Sequence, residues 1–159
     1  MHPQVYKVLH DNGITYREVR HDSFDLPIKS PVDFANALNY ELDRITKSVF
    51  LRSKQKDKYI MAVCSMSKKL DFAHLAILAG VAKLEVAEKQ ELADKVGYPI
   101  NGVCSIGLSH DIQVFIDESL VEFPTVLVGS GEAAAEIELS PVDLTTISKA
   151  SLNNITLSI

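Results

Sequence analysis

The eleven residues Gly97-Tyr98-Pro99-Ile100-Asn101-Gly102-Val103-Cys104-Ser105-Ile106-Gly107 hold three glycines and one proline, a composition that suits neither a regular helix nor a regular strand. Glycine lets backbone approach a ligand closely, so such a loop can aim successive N–H groups at an anion or a polarised carbonyl. A plain connection that turns a tight corner has the same spacing. The loop alone leaves both readings open. Cys104 lies inside it, but a thiolate nucleophile needs a neighbour that lowers its pKa, and no such base is identifiable. Cys64 closes the apolar run Tyr59-Ile60-Met61-Ala62-Val63 and reads as a small buried hydrophobe. The two cysteines form no CxxC pair and the five histidines show no ligand spacing, so no disulfide and no metal site is expected. Walker A, dinucleotide-binding, nucleophile-elbow and paired-carboxylate patterns are missing too, and no cofactor is expected.

A second chemical group is the ammonium of Lys47, which opens the β-branched and aromatic run Lys47 to Ser53. That run pairs by pattern with Lys58 to Cys64 across Lys54-Gln55-Lys56-Asp57, as a hairpin. Alternation puts Lys47, Val49 and Leu51 on one face and Ser48, Phe50 and Arg52 on the other. Lys47 thus shares a side with two residues expected to face the core. It either snorkels to water or reaches into a cleft between sheet and helices.

The elements that must hold these groups follow from local signals. Gln4 to Asp11 reads as a helix with Val5, Val8 and Leu9 inward, stopped by Asn12-Gly13. Thr15 to Arg20 is a polar strand near an edge. Ser30-Pro31-Val32-Asp33 and Ser140-Pro141-Val142-Asp143 each start a helix, with a Ser N-cap and Pro in the first turn. Leu70 to Ala79 is the most apolar helix, capped by Asp71, closed by Gly80 and carrying a packed His74. Lys83 to Val86 is a short strand, and Ala87 to Val96 is a charged helix with Leu92 and Val96 inward that delivers Gly97 as its cap. Beyond the loop come strands Ile112 to Ile116, Thr125 to Val128 and Glu136 to Leu139. The irregular mixture predicts a mixed or antiparallel sheet with helices packed around it, rather than a doubly wound parallel sheet.

At 159 residues the chain is expected to be one domain, 1–159, with a genuine core. No stretch has the length and apolarity of a membrane span and the start lacks a leader pattern, so the protein is read as cytoplasmic with no membrane partner. The net charge of −5 argues against indiscriminate coating of nucleic acid. Between Arg44 and Lys69, however, lie 8 of the 16 Lys and Arg against the single acid Asp57. That run is either a patch gripping a polyanion or a set of lysines keeping a hairpin soluble.

The order of features resembles the YbaK-like family of aminoacyl-tRNA editing domains, related to the insertion domain of bacterial prolyl-tRNA synthetase. The resemblance rests on Lys47-Ser48-Val49-Phe50-Leu51, Asp71 to Gly80, Glu85-Val86-Ala87 before an acidic helix, and Gly97-Tyr98 with its glycine loop. It continues through Ile116-Asp117-Glu118, Val128-Gly129-x-Gly131 and Glu138-Leu139-Ser140-Pro141-x-Asp143-Leu144. It covers the chain from about Val5 to Ala150.

The resemblance implies a mixed α/β (α+β-like) fold, with a barrel-like sheet surrounded by helices. It implies a free-standing deacylase that clears mischarged tRNA and binds its acceptor end, with an aminoacyl-tRNA synthetase as a second partner. Lys47 and Gly102 would be catalytic, and Asn101, Val103, Cys104, Ser105, Gly129, Ser130 and Gly131 would bind substrate. Amides from Gly102 to Ser105 would face the developing oxyanion while Lys47 anchors the terminal phosphate or ribose. The chain departs from the family's G-x-x-x-P loop, with Asn101 in place of the glycine and Ser105 in place of the proline. Those two residues favour an alternative, a non-catalytic module that binds tRNA or a synthetase.

Overall fold

The computed structural model describes residues 1–158. Helix α1 (Pro3–Asp11) begins with Pro in its first turn and the His2 Nδ1 accepting from the Gln4 N–H at 3.1 Å. It buries Val5 and Leu9 and leads into strand β1 (Tyr16–Arg20). Helix α2 (Pro31–Leu38) is capped by Ser30, whose Oγ accepts from Asp33 N–H at 3.3 Å. Strands β2 (Thr46–Ser53) and β3 (Tyr59–Ser65) form the expected hairpin. Helix α3 (Phe72–Ala79) starts at Asp71, which accepts from His74 N–H at 3.0 Å. Strand β4 (Leu84–Val86) and helix α4 (Lys89–Lys95) follow, the helix opened by a Glu88–Glu91 capping box. The chain finishes with β5 (Gln113–Asp117), β6 (Val126–Gly129), β7 (Ala135–Leu139), α5 (Pro141–Ile147) and β8 (Ser151–Asn153).

Two sheets result. One has the order β4-β2-β3-β5-β8, antiparallel around β2 and parallel from β3 to β8, and the other is antiparallel β1-β7-β6. The mixed sheet agrees with the expectation. Among the described residues a barrel does not close: β4, β8 and β1 stay unpaired on their outer sides, and the one β-bridge between the sheets is Ile45–Leu127, where the lead into β2 meets β6.

Side-chain alternation explains the packing. Phe50, Met61, Val63, Val114 and Ile116 face the principal core with Val126, Val128, Ile137 and Leu139 of the second sheet and Val5 and Leu9 of α1. Leu51, Ile60, Ala62, Cys64 and Phe115 face the other way, onto Leu75, Ala76 and Ala79 of α3. Strands β3 and β5 are therefore buried on both faces, which is why their sequences are nearly continuous apolar runs. The core is not confined to the Lys47, Val49 and Leu51 side, because Phe50 on the opposite side is equally enclosed. A third cluster of Val19, Phe34, Ile45 and Leu127 sits under α2 at the junction of the sheets.

Candidate functional site

The first residues of β2, paired with the end of β3, lie beside this third cluster, and there a cleft of about 450 Å3 opens. Phe34, Ile45 and Leu127 make an apolar floor, while Thr46, Lys47 and Ser48 form one wall. Thr46 Oγ1 donates to Leu127 O at 2.9 Å, tying that wall to β6. Lys29, Ser30 and Pro31 at the start of α2 form another side, and Asn101, Val103 and Gly129 a third. Four predicted site residues, Lys47, Asn101, Val103 and Gly129, therefore converge from three distant parts of the chain.

The glycine loop reaches the cleft as a pinned structure. Tyr98 is buried and its hydroxyl donates to Ile106 O at 2.6 Å, closing the base of the loop. Gly102 N–H donates to Pro99 O at 2.9 Å, and Gly131 N–H to Gly102 O at 2.8 Å. A Cβ at Gly102 would lie 2.6–2.8 Å from backbone atoms of Glu132, and one on Gly129 would collide with the Val103 carbonyl. Bare backbone is needed at both positions because the loop and the 129–131 turn are in direct contact.

This pinning corrects several expectations. The Gly102 amide is already bonded and does not face the cleft as a free donor; the next amide, Val103, has no acceptor among the described residues. Cys104 is fully buried in the principal core, where loss of hydration pushes its thiol up to about 12. Burial likewise raises Cys64 to about 11, only partly offset by Lys47, its neighbour across the hairpin. Ser105 is turned inward to pair with Ser148 at 2.8 Å, and Ser130 Oγ donates to Ala135 O at 2.7 Å. Gly131 packs against His2 and Tyr98. Cys104, Ser105, Ser130 and Gly131 thus support the walls from behind and do not line them.

The Arg44–Lys69 charges do not form one patch. Arg44 stacks on Tyr40 at 3.8 Å and bonds Thr125, Lys58 donates to Ala79 O, and Lys68 donates to Ser119 at 3.0 Å. Arg52 is buried with Glu85 at 3.3 Å, and its Nε lies 2.8 Å from Glu91 Oε1 without hydrogen-bond alignment. That acid cluster fastens α4, and hence the entry to the glycine loop, against β2. Lys54 and Lys56 are exposed at the hairpin tip, seven or more residues along from Lys47 and so ~20 Å away at strand rise.

Two residues with no signal in the sequence complete the cleft. His21 Nε2 lies 2.7 Å from Glu136 Oε2, and both side chains line the cavity. The β1–β7 register sets Val19 opposite Glu136, and the chain turns into the cleft two residues later at His21. The His21 ring also packs edge-on against Phe34 at 4.8 Å, so its orientation is held twice. Burial raises the Glu136 carboxyl above its ordinary value of 4.5, opposed by the bond from His21. Among the described residues no group of three or more His, Cys, Asp or Glu is arranged to hold a metal ion.

The protein is thus a two-sheet mixed α/β domain in which Lys47 of β2 and Asn101 and Val103 of the glycine loop line one small cleft. The profile of the aminoacyl-tRNA editing domain matches residues 26–147, and the chain belongs to that family. It is 33% identical over 114 residues to the uncharacterized protein YwhH of Bacillus subtilis, covering 72% of this chain and 71% of that one. It is 27% identical over 145 residues to the prolyl-tRNA editing protein ProX of Acetoanaerobium sticklandii, covering 88% and 85%. The crystal structure of hypothetical protein APE2540 superimposes with a TM-score of 0.84 at 23% identity over 97% of this chain and 99% of that one, a likeness of fold. No helix among the described residues is long and apolar enough to cross a membrane.

Proposed function

We propose that the protein is a free-standing aminoacyl-tRNA deacylase that hydrolyses the ester between a wrongly attached small amino acid and the 3′ end of tRNA, with proline tRNA a candidate acceptor. The observation that carries this reading is the shared cavity of Lys47, Asn101 and Val103, whose 450 Å3 suits a terminal ribose and a small side chain. Family membership and the ProX relative support the choice of ester.

In this reading Lys47 anchors the terminal phosphate or ribose and sets the ester carbonyl against the loop. Because Gly102 N–H is bonded to Pro99, the oxyanion donors are the Val103 amide and the Asn101 side chain. One well-placed donor contributes ~3 to 4 kcal/mol to lowering the barrier. Water adds to the carbonyl carbon, the C–O bond to ribose breaks, and the ribose oxygen takes up the proton that the water gives up. Where a side-chain hydroxyl or thiol of the substrate adds instead, that group gives up the proton, and water then opens the cyclic ester or thioester so formed.

The bonded Gly102 amide and the departures at Asn101 and Ser105 favour a second reading, a non-catalytic module that holds tRNA or a synthetase. Alanyl-, cysteinyl-, seryl- and threonyl-tRNA, each assayed for release of amino acid and for binding, separate the two. Turnover of at least one supports the deacylase. Binding without turnover across the panel selects the module.

A further inference from the structure

We propose that Glu136, oriented by His21, is the subsite for the α-ammonium group of the aminoacyl moiety, so that the cleft takes aminoacyl ends with a free amino group and disfavours N-blocked ones. This rests on the deacylase reading for the identity of the ligand, and on the cleft geometry for the subsite.

Glu136 lines the cavity with a side chain 17% exposed, and His21 Nε2 is its hydrogen-bond partner, on Oε2. Its second oxygen, Oε1, has no hydrogen-bond or ion-pair partner among the described residues. A carboxylate offers about four acceptor directions, so most of this one's capacity is unused. The raised carboxyl pKa has the same origin, since a single partner does not compensate the loss of water around the charge. Such a group gains most from a ligand that brings its own cation and N–H donors.

The other groups facing the cavity narrow the choice of cation. Lys29 and Lys47 are its ammonium groups, and Ser30, Thr46, Ser48 and Asn101 are neutral; Glu136 is the acid. The aminoacyl end of a tRNA is polar in a matching way, with phosphate and ribose at one end and an ammonium two bonds from the ester carbonyl carbon. Lysines answer the first and Glu136 the second. Neighbouring acids are engaged elsewhere: Glu18 contacts Arg20 at 3.6 Å, and Glu138 contacts Arg17 at 3.0 Å. The edge-on contact with Phe34 holds the His21 ring so that Nε2 keeps its contact with Oε2, leaving Oε1 for the ligand.

The test uses a ligand that cannot be hydrolysed, 3′-alanylamino-3′-deoxyadenosine, and its N-acetyl counterpart, with binding to wild type, Glu136→Gln and Glu136→Asp measured by calorimetry. Wild type is expected to bind the free amine on the order of 10- to 100-fold tighter than the acetylated form, the range for a charge-assisted hydrogen bond. Glu136→Gln should bind both about equally, with affinity for the acetylated form unchanged, and Glu136→Asp should retain part of the preference. Equal binding of both ligands by wild type, no binding of either, or a preference that survives in Glu136→Gln would each overturn the subsite. Because the linkage is an amide, the result is independent of turnover. A preference found in a protein inactive on the whole tRNA panel would defeat the deacylase reading and leave the subsite standing.

Discussion

The Gly131 N–H donates to the Gly102 carbonyl at 2.8 Å, joining two segments that lie about thirty residues apart into one wall of the cleft. With Gly102 pressed against the Glu132 backbone at 2.6–2.8 Å from any added Cβ, neither segment can move without the other. Gly102→Ala should therefore cost about 1 to 3 kcal/mol in stability, the range for overpacking a closed contact, and should reduce turnover. Urea unfolding measures the first. A melt indistinguishable from wild type would mean the two segments are not in the contact described.

Both thiols are buried and outside the lining of the cleft. Burial holds both in the protonated form, Cys64 near 11 and Cys104 near 12. Iodoacetamide at pH 8 should leave the native protein unlabelled and label two sites after denaturation. Cys104→Ala should keep turnover within a few-fold while losing roughly 1 to 2 kcal/mol of stability for the cavity it leaves.

What the sequence reveals of this fold and site depends on the range of the interactions. The caps at Ser30, Asp71 and Ser140 and the β2–β3 hairpin depend on residues a few positions apart, and they stand where the local pattern puts them. Strand β8 is short and largely exposed, and it exists because β5 offers a parallel edge to Ser151–Asn153, which no local periodicity encodes. The same holds for the site. Lys47 and the Asn101–Val103 loop were visible from residue type and family pattern. His21 and Glu136 lie 115 residues apart and meet only through the β1–β7 register. The inward turn of Cys104 and Ser105 follows from packing inside an irregular loop, where alternation carries no information.

Glu136 should make stability depend on pH with an unusual sign for a carboxylate. Its native pKa lies above the ordinary 4.5, so the folded state holds the proton more tightly than the unfolded chain. Its contribution is fullest below 4.5, falls as pH rises through the native pKa and is flat above it. Glu136→Gln, which cannot ionise, should match wild type at low pH and be the more stable at pH 7. The difference between the thermal melts of variant and wild type across pH 3.5 to 7.5 isolates this contribution, and a variant less stable than wild type at neutral pH would contradict it.

In the deacylase reading, Lys47 and the loop opposite it form the hydrolytic centre for aminoacyl esters. Single-turnover release of amino acid from the best mischarged tRNA, with enzyme in excess, tests it most directly in wild type and Lys47→Ala side by side. Rapid release by wild type is expected, with a loss of at least about 100-fold in Lys47→Ala, as for removal of a group that positions the reacting ester, and an unchanged melting curve. Equal rates in the two proteins would contradict it.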